Sequence, residues 1–180
     1  MSSPMRTLIL GGARSGKSRH AETLVREAAR AAGATPVYLA TFRPWGDDAE
    51  MDDRLRRHRA RRGDAWRTVE CPVALPEALD AEAGVPVLVD CLTLWLTNLL
   101  LDGLDIERQT GRLERALAAR TAPVVLVANE VGLGLVPDTP LGRRFRDEAG
   151  LLNQRMAAAC ARVLFIAAGL PLTLKEPGPG

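Results

Sequence analysis

The segment from Gly11 to Ser18 carries the residue types that hold a nucleoside triphosphate. It has the sequence GGARSGKS, which fits the pattern Gly-x-x-x-x-Gly-Lys-Ser/Thr, and it follows an aliphatic stretch that ends at Leu10. Glycines let the backbone approach phosphate oxygens closely, Lys17 can reach the β- and γ-phosphates, and Ser18 can ligate Mg²⁺. We therefore predict a phosphate loop made of Gly11, Gly12, Ala13, Arg14, Ser15, Gly16, Lys17 and Ser18.

Asp90 is the candidate for a second magnesium ligand. It ends the aliphatic stretch Val85–Val89, and a phosphate loop commonly works with a carboxylate at the end of a neighbouring strand. An aspartate in that position also occurs as a simple helix cap, which would give it no part in catalysis. Beside a phosphate loop, the pattern favours the metal ligand.

Residues 54–62 combine six arginines with His58. Because acidic residues precede them at 47–53, one interpretation is a solvated surface helix whose charges match its dipole. The other interpretation is a catalytic site around His58, since neighbouring guanidinium groups keep an imidazole neutral and nucleophilic and can hold a triphosphate. The second candidate nucleophile is His20, one turn into the helix after the phosphate loop, where packing behind the phosphate site is the expected role.

The surrounding pattern alternates short aliphatic runs with helical segments, which is typical of an α/β fold with a mostly parallel sheet and helices on both faces. We predict one domain over residues 1–180, frayed at 1–5 and 176–180. Strands are predicted at Thr7–Leu10, Pro36–Ala40, Arg67–Cys71, Val85–Asp90, Val124–Ala128, Val163–Ala167 and Leu172–Leu174. Helices are predicted at Lys17–Ala32, Asp47–Arg62, Ala74–Ala81, Leu92–Leu101, Ile106–Arg120 and Leu141–Arg162.

Composition narrows the function classes. The net charge of +2 offers no general attraction to nucleic acid. The three cysteines, Cys71, Cys91 and Cys160, lack the spacing of a zinc site or a disulfide framework, which favours a reducing compartment. The chain has no segment with the features of a signal peptide or the length of a membrane span. We expect a cytoplasmic protein.

Several segments together resemble the bifunctional adenosylcobinamide kinase and adenosylcobinamide-phosphate guanylyltransferase family of cobalamin synthesis. The phosphate loop is shared with many nucleotide-binding proteins, whereas the later segments are far more specific. The resemblance covers residues 6 to about 175 and rests on GGARSGKSRHAE, the histidine helix followed by WRTVEC, DCLTLWLTNLL at Asp90–Leu100, NEVGLGLVP at Asn129–Pro137 and RRFRDEAGLLNQRMA at Arg143–Ala157.

The resemblance implies a P-loop fold similar to recombinase cores, assembled as a homotrimer. It also implies phosphorylation of adenosylcobinamide by ATP or GTP, followed by transfer of GMP from GTP through a guanylyl-histidine, for which His58 matches the position. Some relatives have two adjacent histidines, whereas Arg57 precedes His58 here. Further nucleotide contacts implied by the family fall on Thr41, Phe42, Arg59, Ala60, Arg61, Arg62, Glu70 and Asp90.

Other assignments stay open. Glu130 is a candidate general base for the kinase step, and a helix cap or a subunit contact would explain it equally well. Two other functions remain to be considered: a small-molecule kinase in which His58 is inert, and a nucleotide-dependent switch or motor. The roles of Arg143, Arg146, Asp147 and Asn153 do not follow from their spacing.

Overall fold

The computed structural model describes residues 5–44 and 65–177. In this part of the chain seven strands form one sheet in the order β3-β2-β4-β5-β1-β6-β7. All neighbours pair in parallel except β6 and β7, which form an antiparallel hairpin. The strands are β1 (Arg6–Gly11), β2 (Val37–Ala40), β3 (Arg67–Glu70), β4 (Val87–Asp90), β5 (Val124–Asn129), β6 (Arg162–Ala167) and β7 (Leu170–Lys175).

Five helices lie in the described ranges. They are α1 (Lys17–Ala32), α2 (Leu75–Ala81), α3 (Leu92–Leu101), α4 (Ile106–Ala119) and α5 (Pro140–Ala159). The predicted strands and these helices are confirmed, with end shifts of at most three residues. The predicted helix Asp47–Arg62 lies outside the described residues.

The last long helix ends three residues earlier than predicted. The expectation was Arg162, but α5 stops at Ala159, and Cys160 has the extended dihedral angles φ −92° and ψ 142°. The chain must leave the helix there because Arg162 already pairs with Thr7 as β6 begins beside β1. Strand pairing therefore overrides the helical preference of this alanine-rich end.

The core lies on both faces of the sheet, as the near-continuous aliphatic strands predict. One face packs against α2, α3, α4 and α5, and its fully buried side chains include Trp95, Leu96 and Leu99. The other face packs against α1 through Ala21 and Val25. Because both faces are covered, the open edge at the carboxyl ends of the strands is the place where a ligand can reach several strands at once.

The register aligns those carboxyl ends. Asp90 at the end of β4 lies opposite Ala40 of β2, and Gly11 at the end of β1 lies opposite Asn129 of β5. The residues that follow β1, β2, β4 and β5 therefore meet at one edge. The three cysteines are free and buried. Among the described residues, no helix is both long and apolar enough to cross a membrane.

Candidate active site

The phosphate loop connects the end of β1 to the start of α1 at this edge. The Lys17 side chain is buried, and its Nζ atom donates a hydrogen bond to the carbonyl oxygen of Gly12 at 2.9 Å. The ammonium group is thus held over the loop rather than extended into solvent. Since the N-terminus of α1 also points into the loop, its free N–H groups add positive potential for an anion.

The backbone geometry of the loop requires glycine at two positions. A Cβ atom on Gly11 would lie 2.6 Å from the carbonyl oxygen of Ile166 and 2.7 Å from Ser15 Oγ. Gly16 has φ +97°, a conformation that residues with side chains rarely adopt. Within the described chain the buried Ser15 Oγ has no hydrogen-bond partner. A phosphate oxygen would satisfy this hydroxyl, which fits the predicted use of the loop.

The turn between β6 and β7 supports the loop from the side. Its Gly169 donates a backbone hydrogen bond to the Ser15 carbonyl oxygen at 2.9 Å. A Cβ atom on Gly16 would come within 3.3 Å of Gly169 Cα, so the two backbones are in close contact. The sequence prediction missed this support, since nothing in the local pattern links residue 169 to the loop.

Asp90 lies at the end of β4, where its Oδ2 atom accepts a hydrogen bond from the hydroxyl of Tyr38. Tyr38 is buried on β2 and packs edge to face against Trp66, with 6.0 Å between ring centroids. The Arg26 guanidinium of α1 lies 5.7 Å from the Trp66 ring centroid. Tyr38 is a site residue that the sequence prediction missed, because a single tyrosine in an aliphatic strand is typical of a core residue.

Thr41 fixes the segment after β2 to the segment after β4. Its Oγ1 atom donates to the Cys91 carbonyl oxygen at 2.7 Å and accepts from the Cys91 amide at 2.9 Å. Asn98 of α3 donates to the Thr41 carbonyl oxygen at 2.8 Å. Thr41 is fully buried, so its hydroxyl serves the backbone beside Asp90. Phe42 is half-buried, and Glu70 is exposed at the end of β3.

Cys91 follows Asp90 but lacks the character of a nucleophile. Burial, with a further contribution from the neighbouring Asp90 charge, raises the pKa of its thiol to about 11. The thiolate is the reactive form, so a thiol with this pKa stays protonated and inert near neutral pH. We therefore assign Cys91 to the core rather than to the chemistry.

Glu130 and Arg146 hold the chain that leaves β5. The Glu130 amide donates to the Gly11 carbonyl oxygen at 3.1 Å, which joins this segment to the phosphate loop. Glu130 Oε1 accepts from the Gly132 amide at 2.6 Å, and Arg146 of α5 donates to the Gly132 carbonyl oxygen at 2.9 Å. Both backbone groups of Gly132 are therefore tethered.

The predicted metal ligands have suitable chemistry. Ser18 offers a hydroxyl oxygen in the first turn of α1 and Asp90 a carboxylate at the same edge of the sheet. The described ranges contain no group of three or more His, Cys, Asp or Glu residues that could hold a metal by themselves. Mg²⁺ in a nucleotide site takes one or two protein ligands and fills its shell with phosphates and water, so a hydroxyl and a carboxylate are donors of the right kind.

The predicted nucleophile and its neighbours are not brought into this geometry. His58, Arg59, Ala60, Arg61 and Arg62 lie outside the described residues. The competing His20 is half-buried on α1. The choice of His58 over His20 therefore still rests on the sequence.

A phosphate loop between a central parallel strand and its following helix, with an aspartate two strands away at the same edge, defines a P-loop nucleotide-binding α/β protein. A family model described as "Cobinamide kinase / cobinamide phosphate guanyltransferase" (CobU) matches residues 7–174. The chain belongs to this family. It is accordingly a bifunctional enzyme of adenosylcobalamin synthesis with kinase and guanylyltransferase activities.

The chain is similar to curated relatives over nearly its whole length. The bifunctional adenosylcobalamin biosynthesis protein CobP of Pseudomonas aeruginosa is 52% identical over 96% of this chain and 99% of its own. CobU of Escherichia coli is 40% identical over 95% of this chain and 100% of its own. The flagellar accessory protein FlaH of Methanocaldococcus jannaschii, a solved structure, has a TM-score of 0.54 at 11% identity, covering 98% of this chain and 81% of that one. This last likeness supports the fold alone.

Proposed function

We propose that both activities use one nucleotide site, built on the loop Gly11–Ser18. ATP or GTP phosphorylates adenosylcobinamide there, and GTP then supplies GMP to the adenosylcobinamide phosphate by way of His58. The observation that carries this proposal is the tethered loop at the end of β1, with Lys17 held over it and Asp90 at the same edge of the sheet.

In the kinase step the hydroxyl oxygen of the aminopropanol arm attacks the γ-phosphorus. The bond from this phosphorus to the β-phosphate bridging oxygen breaks, the nucleoside diphosphate leaves, and the hydroxyl proton passes to a base. Lys17 and the loop amides stabilise the charge that develops on the phosphates, and catalysis consists largely of this positioning.

In the guanylyl step a ring nitrogen of His58 attacks the α-phosphorus with its lone pair. The bond between the α-phosphorus and the bridging oxygen breaks and pyrophosphate leaves, so GMP is carried on the histidine. A phosphate oxygen of adenosylcobinamide phosphate then attacks the same phosphorus, the phosphorus–nitrogen bond breaks, and adenosylcobinamide-GDP forms. Residues 54–62 are rich in arginine, and guanidinium groups near an imidazole favour its neutral, nucleophilic form.

Ser18 and Asp90 would hold Mg²⁺, which supplies neutralisation of charge on the phosphate oxygens. For the nucleotide itself we assign contacts to Phe42, Glu70 and the segment 59–62. The Thr41 hydroxyl is committed to Cys91, so its contribution is to shape the segment that precedes Phe42.

We also propose a cytoplasmic homotrimer. The edge strand β7 supports contact between copies of the chain, because Leu170, Leu172 and Leu174 are 71%, 60% and 56% exposed on it. An exposed apolar edge strand is a surface that proteins usually cover. Light scattering on the purified protein measures the assembly directly.

The kinase half is tested with γ-labelled ATP or GTP and adenosylcobinamide. The parent enzyme is expected to transfer the label to the corrinoid, and Lys17→Ala to reduce this transfer by about a hundredfold or more, as loss of a charged transition-state contact does. Lys175→Ala is the matched control, since Lys175 binds the carbonyl groups at the end of α5. Undiminished transfer by Lys17→Ala contradicts the proposal.

A further inference from the structure

Residues 131–137, here called the acceptor loop, expose apolar side chains shortly after β5, whose end lies opposite Gly11 of the phosphate loop. Leu133 is 82% exposed, Leu135 97% and Val136 61%. Single exposed leucines are ordinary on protein surfaces, but three such residues within four positions are unusual. The loop contains no charged residue.

The acceptor loop is tethered at both ends. At its start, Glu130 binds the amide of Gly132 and Arg146 binds its carbonyl oxygen, at 2.6 and 2.9 Å. At its end, Arg143 donates to the carbonyl oxygens of Pro137 and Asp138 at 3.2 and 2.8 Å. Four charge-assisted hydrogen bonds to the backbone thus hold apolar side chains toward solvent, an arrangement that costs free energy unless a ligand covers them.

The location of the acceptor loop indicates which ligand covers it. The Glu130 amide bonds to the Gly11 carbonyl oxygen at 3.1 Å, so the loop begins directly at the phosphate loop. A molecule resting on Leu133, Leu135 and Val136 therefore contacts the segment that leaves the sheet at the edge that carries the phosphate loop. In a cobinamide kinase and guanylyltransferase, the acceptor of both reactions must approach the bound nucleotide. That acceptor is a large corrinoid, whose ring methyl groups and methylene stems can cover apolar side chains.

We propose that the acceptor loop is the platform on which the corrin ring of the acceptor rests, with Leu133, Leu135 and Val136 as its contact residues. Glu130, Arg143 and Arg146 are positioning residues that fix the platform relative to the phosphate loop. This inference rests on the proposed function, since it takes the acceptor of the two reactions as the ligand.

The test measures binding of adenosylcobinamide by equilibrium dialysis, which uses the colour of the corrinoid and requires no turnover. The double variant Leu133→Ser/Leu135→Ser is expected to raise its Kd about tenfold, the effect of losing roughly 1.4 kcal/mol of apolar contact. Leu101→Ser is the matched control: this leucine is 48% exposed at the far end of α3 and should leave the Kd unchanged. An unchanged Kd in the double variant overturns the inference, whether or not the oligomeric mass changes.

A second readout separates this inference from the proposed function. Labelling of the protein by α-labelled GTP needs no acceptor, so the double variant is expected to keep it. Loss of labelling at unchanged corrinoid affinity would place the loop in the nucleotide step and overturn the inference. If the parent protein binds adenosylcobinamide through the loop but is never labelled, the guanylyl-histidine fails and the acceptor platform stands.

The positioning role has its own signature. Arg146→Ala is expected to raise the KM for adenosylcobinamide severalfold while the KM for GTP stays constant, and Arg146→Lys to restore part of the loss by donating to Gly132. A purely structural arginine would shift both KM values together or neither, and that result would contradict the assignment.

Discussion

The hydroxyl of Tyr38 donates a hydrogen bond to the Oδ2 atom of Asp90, which joins the buried interior of β2 to the carboxylate at the end of β4. The tyrosine ring is itself fixed by its edge-to-face contact with Trp66. This hydrogen bond engages one carboxylate oxygen of Asp90 and fixes the orientation of the group. Such partners orient metal-binding carboxylates and tune their affinity.

Tyr38→Phe should therefore weaken the use of Mg²⁺ while leaving the fold intact. We expect the Mg²⁺ concentration for half-maximal labelling by α-labelled GTP to rise roughly tenfold. The free energy of unfolding should change by only about 1 kcal/mol, the value of one hydrogen bond. Thr121→Val, which removes an exposed hydroxyl bonded to the Ala83 carbonyl oxygen, is the control. Equal Mg²⁺ dependence in parent and Tyr38→Phe would separate Tyr38 from the metal site.

Two substitutions of Glu130 distinguish a role in holding the Gly132 backbone from a role as general base. Glu130→Gln keeps an oxygen that accepts from the Gly132 amide but removes the basic carboxylate, whereas Glu130→Ala removes both. We expect the glutamine variant to keep kinase activity within about threefold and the alanine variant to lose acceptor affinity. General bases contribute about a hundredfold or more, so a loss of that size in the glutamine variant would identify Glu130 as the base.

The two adjacent glycines of the phosphate loop should respond differently to substitution by alanine. A Cβ atom on Gly11 would strike the Ile166 carbonyl oxygen, while one on Gly12 has nothing within 4 Å. Gly11→Ala should lower the free energy of unfolding by about 1–3 kcal/mol, as overpacking does, and Gly12→Ala should leave it nearly unchanged. Denaturant titration of the nucleotide-free protein measures both. Equal stability in the two variants would mean that the loop can adjust around residue 11.

The buried cysteines predict how stability changes at alkaline pH. Burial raises the pKa of Cys71 and of Cys160 to about 12, from an ordinary value of 9.0. Below pH 9 the thiols are protonated in both the folded and the unfolded protein, so their contribution to the free energy of unfolding is fully present. Above pH 9 the unfolded thiols lose their protons first, and the unfolding free energy falls until the pH reaches about 12.

The size of this effect can be isolated with one substitution. Between pH 8.5 and 10.5, Cys71→Ala should lose roughly 1–2 kcal/mol less stability than the parent, since one titrating thiol is gone. Urea denaturation at the two pH values provides the comparison. Equal losses in parent and variant would show that Cys71 ionises in the folded protein as readily as in the unfolded chain.

Much of the fold was predictable because its signals are local. The bounds of α1 follow from the phosphate loop before it and Gly33 after it, and both ends match the prediction. The aliphatic runs identify the strands because strands buried on both faces show no polar alternation. The resemblance of several segments to a known family then allowed the reaction to be predicted as well.

The contacts that organise the site were not predictable, because they depend on register and packing. The Tyr38–Asp90 hydrogen bond requires that Ala40 lie opposite Asp90, which no single segment encodes. Gly132 is held by Glu130 from one side and by Arg146 from α5, and only the packing of that helix brings the two together. The end of α5 was wrongly placed for the same reason, since pairing with β1 decides it.

The central claim is that GMP travels on His58, and one labelling experiment tests it most directly. The protein is incubated with α-labelled GTP and Mg²⁺, and the bound label is then chased with adenosylcobinamide phosphate. The account predicts an acid-labile, alkali-stable label in the parent and in His20→Ala, no label in His58→Ala, and full transfer of the label to the corrinoid during the chase. Label that persists in His58→Ala, or that disappears in His20→Ala alone, would contradict it.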